Sequence, residues 1–381
     1  MTFWNNFVIR YQNEVVFLSK IVEFFCPDKA SRKNGMIELL RFVFCVTVVL
    51  LHSGPLFTGD FKPMRYGSYA VEFFFAVSGY LMMAHIEKAG GKPDKSLGAE
   101  TIEFLWHKFK GLIPYLISVF AYGLIIHYIF LRDSLSASES YNYFVTAFGE
   151  LFLLRMSGLK VQVLNGNLWY ISAMLIVMFA LYPIAKRLGD RFTHIIAPFT
   201  AVILIGFVNR CDAVLEKPGQ WTTLGHIGTV RAAAALCLGC AAYAAAKAIS
   251  KRKFKTWFRV VMTVFEWLGY GFVIANMQLA GKKSVQLMMV YLTVALVSIS
   301  FSGITYSCRF LNSKFIYTLG KFSLPWYIYH YVMRYTLQYL KLDLTTGVQF
   351  AIYITGGLTL AIVSDAIINL IKKHPIKISM P

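Results

Sequence analysis

Long apolar runs separated by short charged or polar segments dominate this 381-residue chain. A helix needs about 20 mostly apolar residues to cross a bilayer. Ten stretches approach or reach this length, and the one at 193–208 is the shortest. The predicted spans are 36–53, 69–86, 112–131, 168–185, 193–208, 230–248, 260–280, 285–303, 317–340 and 347–371. The pattern predicts an all-α, polytopic membrane protein with about ten transmembrane helices.

Two apolar segments do not fit as spans. Segment 144–154 is too short to cross and is expected to be interfacial or re-entrant. Residues 1–34 mix apolar side chains with cations, which favours an amphipathic segment on the cytoplasmic face or a helix packed on the bundle. The membrane domain is then expected over 35–375, followed by a cytoplasmic tail at 376–381.

Composition supports this architecture and excludes other classes. The chain is 57% hydrophobic and only 15% charged, whereas soluble proteins carry roughly 25% charged residues. Its net charge is +19, and the charged residues are spaced between apolar runs. Neither a soluble nucleic-acid-binding protein nor a disordered chain has this pattern, so no nucleic-acid partner is expected.

The distribution of cations predicts the orientation. With the N-terminus inside, 24 of the 38 Lys and Arg residues fall in inner segments, 10 in outer segments and four within spans. Cytoplasmic loops carry the excess of cations, so both termini are expected in the cytoplasm, with the protein in the cell (plasma or inner) membrane.

The cysteines give no sign of a metal site. Cys237 and Cys240 form a C-x-x-C pair inside an Ala-rich apolar stretch, without a second such pair or a His-rich segment. Small thiols commonly pack between helices, so we expect packing and no metal.

The first predicted span carries an unusual set of ionisable residues. Arg41 and His52 are 11 residues apart, which places them on one helix face about 16 Å apart along the axis. Glu38 lies three residues before Arg41 and is expected to pair with it. Ionisable groups within spans are costly and mark functional sites, although a snorkelling Arg41 and an interfacial His52 are the simpler alternatives.

The second span begins with an acid. Glu72 lies near the outer end, at the predicted depth of His52. A carboxylate beside an imidazole fixes its tautomer and stabilises the imidazolium, so His52 and Glu72 are predicted to be the catalytic pair. The alternatives are a structural ion pair or an acid facing the interface.

Other polar and aromatic residues lie at the outer ends of later spans. They are candidates for binding a substrate, although Trp and Tyr also serve as ordinary interfacial anchors. This candidate set comprises Asn167, Trp169, Tyr170, Arg231, Tyr329, His330 and Arg334.

Three cations precede the third span. His107, Lys108 and Lys110 are expected on the cytoplasmic side, where they could hold phosphates or simply contribute to the positive-inside charge.

Five segments together resemble acyltransferase family 3, integral membrane proteins that O-acylate glycans and other hydroxyl-bearing molecules. The resemblance extends over residues 36–333 and rests on GMIELLRFVFCVTVVLLH, VEFFFAVSGYLM, FLWHKFKGLIPYL, NLWYISAMLIVMFALYPI and TLGKFSLPWYIYHYVM. It implies about ten helices, with acetyl-CoA or a related acyl-CoA as donor.

The resemblance also implies residue roles. His52 matches the family's catalytic histidine, Arg41 its essential arginine, and Glu72 the acid before the FF-x-x-SG segment. The chain departs from the family before the proline of the third-span motif, where it has lysines and Gly111 in place of arginines. Lysine lacks the bidentate fork of arginine, so a donor site at 107–110 is less well matched than His52.

The sequence therefore predicts an O-acyltransferase, in the first instance an O-acetyltransferase, that modifies a cell-envelope glycan or lipid-linked sugar. Cytoplasmic acyl-CoA would meet Arg41, Glu38 and the 107–110 cations, and membrane lipids would surround the bundle. Transfer could be direct or pass through an acyl-His52. The alternatives are a transporter or flippase of an anionic or sugar-lipid substrate, with a pore lined by Arg41, His52 and Arg231, or a non-catalytic scaffold.

Overall fold

The computed structural model describes residues 34–90, 96–131, 134–212, 214–279 and 281–373. Within these ranges the chain is mainly helical with very little strand, as the sequence predicts. The predicted amphipathic segment (1–34, apart from Asn34) and the tail at 376–381 lie outside the described residues.

The elements are numbered here in chain order. The α-helices of the described residues are α1 (Gly35–His52), α2 (Ala70–Ala89), α3 (Leu97–Leu131), α4 (Ala137–Leu151), α5 (Trp169–Leu188), α6 (Ala197–Arg210), α7 (Ile227–Ser250), α8 (Thr256–Leu279), α9 (Lys283–Ser302), α10 (Ser307–Phe310), α11 (Lys314–Leu340) and α12 (Thr346–Lys373). The connections include 3₁₀ turns at Gly54–Leu56 and Gly67–Tyr69, a π-helical turn at Phe192–Ile196, and an antiparallel hairpin of β1 (Trp221–Thr222) and β2 (Gly225–His226).

Nine helical stretches in the described part of the chain are long and apolar enough to cross a membrane, so the protein is multi-pass. They coincide with nine of the ten predicted spans. The remaining prediction, 317–340, lies in α11, which has 27 residues but is too polar to qualify. It carries Lys321, His330 and Arg334, and it is shielded by packing against α1, α12 and α3.

Helix α3 is longer than the predicted span 112–131. It begins at Leu97 and runs for 35 residues, or about 52 Å, against a hydrocarbon core of about 30 Å. The cations at 107–110 therefore lie on a helix rather than in a connecting loop.

Most of segment 144–154 forms the C-terminal half of α4. This 15-residue helix is not among the nine candidate spans. Ser136 and Glu139 form a capping box that starts this helix. Its Phe144 and Phe148 are exposed while Glu150 is buried, an amphipathic pattern typical of a helix at an interface.

Small residues allow α2 and α7 to pack closely. A Cβ at Gly79 would collide with the Leu236 carbonyl, and one at Gly239 with the Ala76 carbonyl. Cys240 lies in the same contact, its Sγ 3.7 Å from the Gly79 carbonyl oxygen. This buried thiol therefore acts as a packing residue between helices.

Candidate active site

The last residue of α1 meets the middle of α11. His52 Nδ1 lies 2.9 Å from His330 Nε2, and the two rings stack with centroids 5.2 Å apart. His330 is fully buried and His52 is partly exposed. The two histidines therefore form one unit in which only His52 is open to its surroundings.

A backbone carbonyl determines how this pair is protonated when both rings are neutral. His330 Nδ1 lies 3.0 Å from the Trp326 carbonyl oxygen. Because a carbonyl can only accept, His330 carries its proton on Nδ1, and its Nε2 accepts from the Nδ1–H of His52. The Nε2 of His52 is then unprotonated, as a general base or nucleophile requires.

Glu72 does not form the predicted pair with His52. Its carboxylate binds Arg231 bidentately, with Nε–Oε1 at 2.6 Å and Nη2–Oε2 at 2.9 Å. Arg231 also donates to the carbonyls of Ser68 and Leu215, and its guanidinium lies 5.4 Å from the centre of the Trp169 ring. The arginine outcompetes the imidazole because it is always charged and matches the carboxylate with two parallel bonds.

Two asparagines hold α11 in place just before His330. Asn165 Nδ2 donates to the Ile328 carbonyl at 2.9 Å, and Asn167 Nδ2 donates to the Tyr327 carbonyl. The Tyr327 hydroxyl donates back to the Asn167 carbonyl at 2.9 Å. Asn167, predicted to bind substrate, is fully buried, so the structure gives it a role in positioning the backbone of α11.

Glu150 of α4 holds the segment before α5 that carries these two asparagines. Its Oε2 accepts from the backbone N–H groups of Leu164 (2.7 Å) and Asn165 (2.8 Å). Burial raises the pKa of Glu150 to about 7, while Arg155 and these two N–H groups oppose the rise. Sequence reasoning missed Glu150, Asn165 and Arg155, because nothing in the local pattern connects α4 to a histidine 180 residues later.

Tyr331 and Arg334 lie next to the histidine pair. The Tyr331 ring meets the His52 ring edge-on at 4.9 Å, and the Arg334 guanidinium lies 4.9 Å from the centre of the Tyr331 ring. Tyr329, the other predicted residue here, is hydrogen-bonded through its hydroxyl to Ser118 of α3. Arg334 thus lies one aromatic ring away from His52.

A cavity of about 640 Å³ opens at the other end of α1. Arg41 and Glu38 line it, with the predicted ion pair formed at 2.9 Å. Tyr170, expected at the outer level, lines this cavity together with Tyr327. The Tyr327 ring lies 5.8 Å from His330, so this residue separates the cavity from the histidine pair.

A second cavity of about 600 Å³ lies beside the first, and Leu81 lines both. His107 and Lys108 line it, and Lys108 Nζ lies 5.1 Å from the centre of the Phe104 ring. Lys110 is exposed on α3 and lines neither cavity. The structure thus brings two of the three predicted cations together near the Arg41 cavity.

Comparison with known proteins identifies the family. An acyltransferase-domain family model, acyltransferase family 3, matches residues 34–366 and covers nearly the whole chain. No curated protein and no solved structure matches it significantly. The matched region contains the Arg41 cavity, the His52–His330 pair and the whole of α11. The chain therefore belongs to acyltransferase family 3.

Proposed function

We propose that this membrane acyltransferase moves an acyl group, in the first instance acetyl, from acyl-CoA to a hydroxyl of a cell-envelope glycan or lipid-linked sugar. The observation that carries the proposal is the His52–His330 hydrogen bond, which leaves His52 Nε2 free to act. The charge distribution of the sequence favours placing the Arg41 end of α1 in the cytoplasm and the His52 end at the outer face.

The donor would enter from the Arg41 end. Two adjoining cavities carry Arg41 on one side and His107 and Lys108 on the other, a suitable arrangement for the phosphates of a long acyl-CoA. Glu38 engages one nitrogen of Arg41, Nη1, and orients the guanidinium. The pantetheine arm would then reach past Tyr327 to bring the thioester to His52.

The chemistry needs one base. In direct transfer, His52 Nε2 takes the proton of the acceptor hydroxyl as its oxygen attacks the thioester carbonyl. The new C–O bond forms, the C–S bond breaks, and the proton passes to the departing CoA thiolate. In a two-step route His52 Nε2 attacks the thioester carbonyl, the C–S bond breaks and CoA leaves as its thiolate; the acceptor hydroxyl then attacks the acyl group, the C–N bond breaks and the hydroxyl proton passes to the thiolate. In direct transfer, His330 stabilises the imidazolium of His52 by accepting its Nδ1–H.

The test uses full-length protein in liposomes with radiolabelled acetyl-CoA and an envelope-glycan extract. Wild-type protein is expected to consume acetyl-CoA and label the glycan, and His52→Ala is expected to bind acetyl-CoA without transferring acetyl. The matched control is His194→Ala, which removes an exposed histidine from the π-helical turn before α6. Transfer by His52→Ala at near wild-type rate would overturn the assignment of His52, and no acetyl-CoA consumption by wild type would overturn the function.

The transporter alternative has less support. It needs Arg231 to share a pore with Arg41 and His52, but both guanidinium edges of Arg231 are bound by Glu72 and by backbone carbonyls.

Mass spectrometry of the envelope glycans with and without the protein would identify the acceptor.

A further inference from the structure

A third cavity lies at the His52 end of the bundle. Its volume is about 380 Å³, and Arg155, Lys160, His226, Gln162 and Thr146 provide its polar lining. None of the described residues that line it is acidic. We infer that this cavity binds an anionic group of the acceptor, a phosphate or a carboxylate carried by the glycan; the inference rests on the proposed function.

Contacts connect this cavity to the histidine pair. Arg155 Nη1 donates to the Gly166 carbonyl at 2.7 Å. Gly166 packs closely against the Tyr331 side chain, where any Cβ would collide with the ring and its hydroxyl. The Tyr331 ring also lies against His52, with ring centroids 4.9 Å apart. A glycan whose anionic group sits near Arg155 therefore has its neighbouring sugar close to the proposed base.

Arg334 provides an independent observation beside Tyr331. Its Nε is buried and has no hydrogen-bond partner among the described residues, and the guanidinium makes no ion pair there. Its guanidinium lies over the Tyr331 ring, 4.9 Å from the ring centre. A buried N–H without a partner is costly, and an anionic ligand would satisfy it with a charge-assisted bond.

The nearby acid does not neutralise these cations. Glu150 uses Oε2 to hold two backbone N–H groups, and its Oε1 is buried without a partner in the described part of the chain. It forms no ion pair with Arg155 within 4 Å. Arg155, which lines the cavity, and Arg334, beside Tyr331, thus carry charges that no described acid pairs with and that a negatively charged acceptor can meet.

The test measures ligand binding in the cavity by the protection of an introduced cysteine from labelling. It uses the full chain in nanodiscs, where both faces of the membrane are accessible. Leu159→Cys places a thiol on an exposed lining residue, and peptide mass spectrometry follows its reaction with maleimide. Glucose 1-phosphate, glucuronate or both should slow labelling by at least about threefold, while glucose should not. The two anionic sugars distinguish phosphate from carboxylate recognition. Protection should weaken in about 0.5 M salt because the attraction is electrostatic.

Charge variants in the same background decide the outcome. Arg155→Gln and Lys160→Gln should lose the protection, and Arg155→Lys should keep most of it. Lys62→Gln, an exposed lysine at the same end that does not line the cavity, is the matched control and should behave as wild type. Equal protection by glucose, no protection by either anionic sugar, or full protection in Arg155→Gln/Lys160→Gln would each overturn the inference. Labelling needs no acyl-CoA, so its result stands apart from the outcome of the acyl-transfer assay.

Discussion

Two polar pairs lie at the same end of the bundle and differ in which hydrogen-bonding atoms they leave without a partner. In Glu72–Arg231, both carboxylate oxygens are bound and the guanidinium also reaches the carbonyls of Ser68 and Leu215. In His52–His330, a chain of hydrogen bonds begins at the Trp326 carbonyl and ends at a nitrogen of His52 with no assigned partner.

The difference separates structure from chemistry. A fully paired buried charge has no bond to offer a substrate, although removing one partner would be costly. An oriented imidazole with one open nitrogen can take a proton from a substrate hydroxyl. Glu72 and Arg231 therefore join α2 and α7, and His52 remains the residue that we propose for the reaction.

The largest effect is expected when His52 of the His52–His330 pair is replaced. His52→Gln keeps hydrogen-bonding capacity but cannot take a proton, so acyl transfer should fall by about 10⁴-fold. Glu72→Gln should retain most of the transfer activity per folded molecule, because the carboxylate does not touch His52. Transfer rates normalised to acyl-CoA-binding protein measure both. A larger loss for Glu72→Gln than for His52→Gln would restore the predicted His52–Glu72 pair.

The next largest effect is expected when the Glu72–Arg231 pair, the closed pair of the two, is broken. Arg231→Met leaves the Glu72 carboxylate buried and unpaired, which should destabilise the fold by roughly 3–5 kcal/mol. Replacing both partners, as Glu72→Leu/Arg231→Met, should recover much of that loss because no charge is left buried. Unfolding in detergent measures the difference. If the double variant is less stable than Arg231→Met, the closed pair has a role beyond mutual neutralisation.

The fold was largely predictable from the sequence because bilayer thickness fixes the length of apolar runs. Nine of the ten predicted spans qualify, and α11 falls short because it places His330 and Arg334 within the bundle. The start of α3 at Leu97 was missed because helix propensity continues past the point where hydrophobicity ends. The length of an apolar run predicts the part of a helix that lies in the membrane. It does not predict how far the helix continues outside the membrane.

The candidate site was only partly predictable. The spacing of Glu38 and Arg41 on one helix predicted their ion pair, because i,i+3 neighbours are local. The partner of His52 is 278 residues away, and equal depth in the membrane could not distinguish Glu72 from His330. Depth gives one coordinate of three. Which helices are neighbours depends on packing, such as the glycine contact between α2 and α7 that brings Arg231 to Glu72.

A smaller effect tests whether His330 positions His52. His330→Leu removes the acceptor for His52 Nδ1–H and should lower transfer by about 10- to 100-fold, by analogy with the partners that orient metal-bound imidazoles. His330→Gln can still accept this bond through its side-chain oxygen and should recover part of the rate. The pH profile of transfer should shift in His330→Leu, because His52 loses a partner that stabilises its imidazolium. An unchanged profile with a reduced rate would indicate a packing role alone.

Arg41 provides a smaller effect at the other end of α1. Arg41→Ala should weaken acyl-CoA binding by about tenfold by removing one charge contact to phosphate, and Arg41→Lys should rescue it only in part. Equilibrium binding of a non-hydrolysable acyl-CoA analogue measures this without catalysis. Lys110→Ala is the matched control, since Lys110 is exposed and lines neither donor cavity. Equal losses in both variants would place the donor phosphates elsewhere.

The smallest effect extends the comparison to a buried acid with no direct cation partner. Burial raises the pKa of Glu150 to about 7 in the folded protein, above its ordinary value of 4.5. The folded state therefore holds this proton more tightly than the unfolded state, and the resulting stability is present below pH 4.5 and is lost as pH rises through 7. Between pH 6 and pH 8 the loss should be about 1 kcal/mol, seen as a falling unfolding midpoint. Glu150→Gln should remove this dependence while retaining an oxygen for the N–H groups of Leu164 and Asn165, and the same pH slope in that variant would assign the titration to another group.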